Sequence, residues 1–320
     1  MYGEFFGLSK KPFNMTPDPG FLFLTNRHRE ALVGLTYAIL DRKGFIVLTG
    51  DAGTGKTTLL ARVLQNLPRA QVQSSVILNP MLTPAEFLEL ALLDFGLSDV
   101  PASKARRLTL LQKLLVDGHR EGKISTLVID EAHKLSIELL EEIRLLGNFE
   151  YGDQKLLQIV LLGQLELNDL LERGELRQFK QRVALRFAIE PLSPEEVGQY
   201  IRYRWAAAGG AADGPFTSPA VTEVACCSQG VPRVINALCD NAMLLAFSEG
   251  TSTVTEKHVR EAAVDLKVAS VAAAPAIETP AQPVAPQRPL TLHSLERYGN
   301  RNGAARSFFG RWAVRLGMAD

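Results

Sequence analysis

The chain has 320 residues, 46% of them hydrophobic and 22% charged, and its 35 lysines and arginines balance 35 aspartates and glutamates. That length and apolar content point to a globular protein of about two domains with substantial buried cores. The charge balance excludes a strong overall field for nucleic acid or an acidic membrane, so any such contact must be local.

Met1 to Leu8 lacks a basic stretch followed by an apolar one. No uninterrupted apolar run reaches the roughly 18 residues of a membrane span, so neither a cleavable leader nor a span is expected. Residues 11–18 are proline-rich and extended, and they lead into a helical pattern over 27–40 that stops before Gly44. The apolar run Phe45-Ile46-Val47-Leu48-Thr49 then enters Gly50-Asp51-Ala52-Gly53-Thr54-Gly55-Lys56-Thr57-Thr58. This segment fills every fixed position of G-x-x-x-x-G-K-[ST] in a strand–loop–helix context. Its glycines let successive backbone N–H groups turn inward on an anion, Lys56 supplies a point charge for β- and γ-phosphates, and the Thr57 hydroxyl is a ligand for Mg²⁺. The helix that follows, from 57 to about 67, directs its positive end at the same phosphates. The segment therefore marks a nucleoside triphosphate site.

Further apolar runs at 75–78, 126–129 and 156–162, with helical stretches between them and a fifth strand expected at 183–189, argue for a parallel α/β sheet covered on both faces. The second of these runs ends in Asp130-Glu131-Ala132-His133. Asp130 at the strand tip suits Mg²⁺ held through its water shell, as a partner to Thr57, and Glu131 suits orienting and deprotonating an attacking water. The Asp-Glu-Ala-His order also resembles a helicase signature, but no array of further helicase motifs accompanies it.

After Pro191 the strands stop. Ser193-Pro194-Glu195-Glu196 combines a cap, a proline at the first helical position and acids in the first turn, and helical patterns continue at 218–227, 231–248 and 255–268. Cys226, Cys227 and Cys239 fall within this small all-helical domain without zinc-type spacing; they read as reduced core thiols, which favours the cytoplasm. Residues 269–289 shift to Ala, Pro, Val and Gln and read as a linker, because they cannot bury enough surface to offset chain ordering. Residues 290–320 end in a basic amphipathic stretch: Phe308, Phe309, Trp312, Ala313 and Leu316 share one helical arc, with Arg311 and Arg315 on its flank. It suits an anionic membrane surface or a protein partner, or, given Gly310, an unstructured or self-packed tail.

Phe5-Phe6-Gly7-Leu8, Pro12-Phe13, Thr16-Pro17-Asp18-Pro19, His28-Arg29-Glu30-Ala31-Leu32, Gly44-Phe45, the loop, Asp130 to His133 and Gly163-Gln164 together resemble the general secretion pathway protein A (ExeA-like) family of AAA+ ATPases, over about residues 1–267. The resemblance implies an αβα core with a five-stranded parallel sheet at 1–191 and a helical lid at 192–268, with ATP and Mg²⁺ between them. By the same resemblance Gln164 matches a polar sensor that holds the attacking water, and Asn79 a polar switch that binds the catalytic glutamate at rest. Arg182 and Arg177, in a cation-dense stretch, are candidates for the arginine that one AAA+ subunit presents to its neighbour's γ-phosphate. Gly230 to Asn236 resembles the second sensor, with Arg233 reaching the γ-phosphate in cis and Pro232 fixing its helix start. Pro12, Phe13, His28 and Leu32 are candidate adenine neighbours.

Larger members of the family resemble this chain up to the lid and then continue into a membrane span and a periplasmic peptidoglycan-binding module. The implied protein is a cytoplasmic oligomeric ATPase, with a tail suited to peripheral contact with the inner membrane. It would drive assembly or remodelling of an envelope machine for general secretion, a pilus or exopolysaccharide export. The alternative from another class is a DNA-associated regulator of the transposition-ATPase type, with the basic run 177–186 facing DNA; a third is a switch that binds ATP but scarcely hydrolyses it.

Overall fold

Alternation of aliphatic runs with amphipathic ones produces alternating strands and helices, and the computed structural model describes them for residues 2–268 apart from 17, 69 and 212. The expected linker and amphipathic tail lie outside the described residues. In chain order come α1 (Tyr2–Phe5), α2 (Asn26–Leu40), β1 (Phe45–Gly50), α3 (Lys56–Asn66), β2 (Val72–Ile77), α4 (Pro84–Asp94), α5 (Lys104–Arg120) and β3 (Ile124–Ile129). They are followed by α6 (Ile137–Leu146), β4 (Glu150–Tyr151), β5 (Gln154–Lys155), β6 (Leu157–Gly163), α7 (Glu166–Leu171), α8 (Arg177–Lys180) and β7 (Val183–Ile189). Four helices then complete the described chain: α9 (Pro194–Ala207), α10 (Ser218–Ser228), α11 (Pro232–Ser248) and α12 (Glu256–Asp265).

The main sheet has five strands in the order β2-β3-β6-β1-β7, and every pairing in it is parallel. β1, β3 and β6 are buried at every position, because helices cover both faces and no alternation is needed. β7, at the edge, alternates instead. Successive residues feed opposite layers: Val47, Ile129 and Leu161 pack with Leu111, Leu139 and Leu167 on one face, while Ile46, Leu48 and Val128 pack with Leu35 and Leu59 on the other. The register sets Thr49 beside Gly163 and Ala188, and Ile129 beside Ile77 and Leu161. The carboxyl ends of β1, β3 and β6 therefore lie side by side, where open parallel sheets bind their ligands.

The helices from α9 onward surround a separate core that includes Trp205, Leu238, Met243 and Val259. The Ser193 start is a full capping box with proline in the first turn, which satisfies otherwise orphaned N–H groups at the point where the chain leaves the sheet. No helix of the described residues is long and apolar enough to cross a membrane.

Two features differ from the sequence expectation. The N-terminal block, assigned to the 1–191 core, packs largely on the helical unit: Tyr2 and Phe13 belong to its hydrophobic cluster, the Tyr2 hydroxyl bonds Asp240, and the Phe5 ring meets Phe247 edge-on. Its aromatic side chains find their apolar partners there, whereas the sheet is already covered by α2 and α3. The hairpin β4–β5, not anticipated, has a two-residue turn opened by Gly152 at φ 63°, and glycine at that position is the available signal.

Candidate functional site

At the end of β1 the chain turns through Gly53 (φ 84°) and Gly55 (φ 97°), left-handed conformations that a Cβ disfavours. Gly55 is also the N-cap of α3 and offers no side chain to its first N–H groups, which leaves them free for an anion. The Thr54 hydroxyl closes the loop onto the Asp51 carbonyl at 2.8 Å. Lys56 is nearly buried, and its ammonium donates to the carbonyls of Gly50 (2.7 Å) and Asp51 (2.9 Å). Burial pulls its pKa down, opposed by the charges of Asp130, Glu131 and Asp51.

The parallel pairing of β3 with β6, and of β6 with β1, brings Asp130 under this loop. Thr57 Oγ1 donates to Asp130 Oδ2 at 2.8 Å, and the Glu131 N–H donates to Asp130 Oδ1 at 2.8 Å. Burial raises the Asp130 pKa, and these two bonds oppose the rise. Glu131 has a left-handed backbone, φ 53°, a conformation that costs a non-glycine residue about 1–3 kcal/mol and clusters at functional sites. Its carboxylate oxygen Oε2 lies 3.3 Å from Lys134 Nζ and 3.5 Å from His133 Nε2.

A cleft of about 540 Å³ opens over these groups and is lined by Lys56, Thr57, Asp130, Glu131, Gln164 and Arg233 together. Ala52 to Thr58 line it as well, while Gly50 and Asp51 contribute the carbonyls that hold Lys56. Arg233 arrives from the helical unit: α11 starts beside the loop, the Arg233 N–H donates to the Gly53 carbonyl at 3.3 Å, and its side chain is exposed.

Arg182 lies outside the cleft, donating to the Arg144 carbonyl at 3.3 Å and to Asn148; Arg177 is exposed at the start of α8. Asn79 is bonded within its own turn, its Oδ1 accepting from the Met81 N–H at 3.3 Å, and among the described residues no hydrogen bond joins it to Glu131. Of the four candidate adenine neighbours, His28 alone lines the cleft. Its Nδ1 is 2.7 Å from the Thr25 hydroxyl and its Nε2 3.4 Å from the Thr54 carbonyl, so it braces α2 against the loop; burial lowers its pKa.

The sequence did not reveal the opposite wall. Arg204, 7% exposed, donates to the carbonyls of Pro12 (2.5 Å) and Asn14 (3.4 Å) and to the Tyr200 hydroxyl (3.1 Å). Tyr200 in turn donates to Asn236 Oδ1 at 2.8 Å. The only available signal was Tyr200 and Arg204 one turn apart on α9, a pattern shared by many solvated helix faces.

Residues 39–171 match the AAA domain family. General secretion pathway protein A of Aeromonas hydrophila is 40% identical over 270 residues, covering 83% of this chain and 48% of the relative. The chain belongs to the AAA+ proteins and is a homologue of general secretion pathway protein A. It spans about half the length of that relative. The fold is shared with the Aeropyrum pernix ORC2 protein in its ADPNP–ADP complexes (TM-score 0.60, 16% identity, 82% of this chain and 73% of that one). It is shared also with Cdc6p of Pyrobaculum aerophilum (TM-score 0.57, 17% identity, 78% and 70%). An AAA domain implies nucleotide binding, and this AAA+ chain has the five-stranded parallel sheet and C-terminal helical lid of that fold.

Proposed function

We propose that the chain is a Mg²⁺-dependent ATPase whose nucleotide sits between the sheet and the helical lid. The convergence of Lys56, Thr57, Asp130, Glu131, Gln164 and Arg233 on one cleft carries this reading. Lys56 would exchange its two loop carbonyls for β- and γ-phosphate oxygens, and the N–H groups at the start of α3 would bind the same phosphates. The Thr57 hydroxyl and the Asp130 carboxylate fit Mg²⁺: they are oxygen donors in contact, and no group of three or more His, Cys, Asp or Glu side chains among the described residues could chelate a metal alone. Held there, Mg²⁺ would supply charge neutralisation at the phosphates. Glu131 accepts the proton of the attacking water, the Gln164 amide orients that water, and Arg233 stabilises the transferred group from the lid. Arg182 or Arg177 would serve a neighbouring subunit in a homo-oligomer, for which a position outside the cleft of its own chain is required.

The kinship with a general secretion pathway protein supports a role for nucleotide-driven lid movement in assembling or remodelling an envelope secretion, pilus or export machine, at the cytoplasmic side of the inner membrane. Glu131→Gln tests the chemistry. It should keep ATP binding and lower turnover by about 10²–10⁴-fold, the usual contribution of a positioned base; near-normal turnover would remove Glu131 from that role. The same variant should trap its envelope partner in pull-downs, whereas ATP-dependent capture of DNA that weakens steeply with salt would favour a DNA-associated regulator.

A further inference from the structure

His133 is absent from the cleft lining, yet both of its ring nitrogens face groups that line it. It lies in the short helical turn Ala132–Lys134 that follows Glu131, with 12% of its side chain exposed. Nδ1 accepts the Gln164 backbone N–H at 3.3 Å. In a neutral imidazole a nitrogen that accepts carries no proton, so the ring proton sits on Nε2, which lies 3.5 Å from Glu131 Oε2. Gly163 permits the close approach: a Cβ there would lie 3.3 Å from the His133 backbone nitrogen and 2.8 Å from Leu167 Cδ2. The end of β6 and the turn after β3 are thus packed backbone to backbone, with the imidazole spanning them.

Lys134 and His133 both approach the Glu131 carboxylate at Oε2, 3.3 and 3.5 Å away, and Glu131 itself lines the cleft. Lys134 is a flexible, half-exposed tether; His133 is a rigid one, anchored at its far nitrogen.

We propose that His133 is a positioning residue: it holds Oε2 of Glu131 and couples that carboxylate to the Gln164 loop, so that water-activating and water-orienting groups move as one unit. The inference rests on the ATPase reading. No proton passes through the ring; the water proton goes to Glu131 Oε1 as the new P–O bond forms and the β–γ bridging bond breaks, and the imidazole keeps its Nε2–H throughout.

The full-length chain and its His133→Ala, His133→Gln and His133→Asn variants test this. His133→Ala should lower kcat about 10–100-fold, the range found when residues that orient metal-ligating side chains are removed, with the Kd for a fluorescent ATP analogue changed less than twofold. Gln, long enough to place an amide N–H toward Glu131, should recover more activity than Asn, whose shorter amide reaches only the Gln164 N–H. In a Glu131→Gln background, single-turnover rates should be indifferent to His133→Ala, because the two residues act through one another. Histidine ¹⁵N shifts of the nucleotide-free protein, assigned by the signal missing from His133→Ala, should show the neutral Nε2–H tautomer. An Nδ1–H tautomer, an equal kcat loss in both backgrounds, or a loss of nucleotide affinity matching the loss of kcat would each overturn the proposal. If the wild-type chain shows no ATP turnover, the ATPase reading falls; if Glu131→Gln abolishes turnover while His133→Ala matches wild type, only the role of His133 falls.

Discussion

Gly230→Ala is expected to unseat the lid. Gly230 has φ 74°, and a Cβ on it would lie 2.0 Å from the Leu192 carbonyl oxygen, while the Leu192 N–H donates to the Gly230 carbonyl at 2.8 Å. This contact ties the chain leaving β7 to the start of α11, and so aims Arg233 at the loop. The left-handed backbone alone costs an alanine about 1–2 kcal/mol. Relief of the clash adds about 1–3 kcal/mol, as for other overpacked sites, and loss of the hydrogen bond about 0.5–1.5 kcal/mol. The total of about 2.5–6.5 kcal/mol, at roughly 2–4 °C per kcal/mol for a domain of this size, lowers Tm by about 5–26 °C. Gly250 supplies the control. It is also left-handed, φ 71°, but a Cβ there meets nothing within 4 Å, so Gly250→Ala should cost only the backbone share of about 1–2 kcal/mol. Calorimetric melting of the nucleotide-free protein measures both. Equal Tm losses in the two variants would refute the reasoning, since only Gly230 faces Leu192.

Two further outcomes follow from buried groups. Arg204→Ala leaves the buried Pro12 carbonyl and the more exposed Asn14 carbonyl without their donor; a loss of about 1–3 kcal/mol is expected from the buried unpaired acceptor, and limited proteolysis should then cut within the N-terminal block first, whereas unchanged proteolysis would show that Arg204 does not hold it. His28 has a folded pKa below its usual 6.5 because of burial, so the folded protein takes up its proton less readily than the unfolded chain. Its contribution is complete above about pH 6.5 and is lost as the pH falls toward the folded pKa. Between pH 7.5 and 5, Tm should therefore drop further in wild type than in His28→Asn, and parallel curves would assign the acid sensitivity elsewhere.

The nucleotide-binding loop and the five strands were legible because their signals are local. A buried parallel strand needs only a continuous apolar run, and a phosphate loop needs glycines and a lysine at fixed offsets, so Gly50 to Thr58 and Phe45 to Thr49 declare themselves without their neighbours. Gln164 and Arg233 required the resemblance to a known family, since a glutamine after a strand and an arginine at a helix start carry no chemistry of their own. Asn79, expected from the same resemblance, is bonded to Met81 in its own turn, while Lys134 and His133 lie 3.3 and 3.5 Å from Glu131 Oε2.

What the sequence by itself determined is the type of sheet, the phosphate-binding loop and the acids at the tip of β3, each specified by residues close together in the chain. Only the tertiary structure decided which groups meet across long separations. The N-terminal aromatic block packs on the lid because that surface, rather than the already covered sheet, offers apolar partners. Arg204 lies in the cleft wall because its hydrogen-bond acceptors come from that block. His133 spans Glu131 and Gln164 because parallel pairing of β3 with β6 sets their carboxyl ends side by side, a register fixed by burying both faces of the sheet and invisible in any single segment.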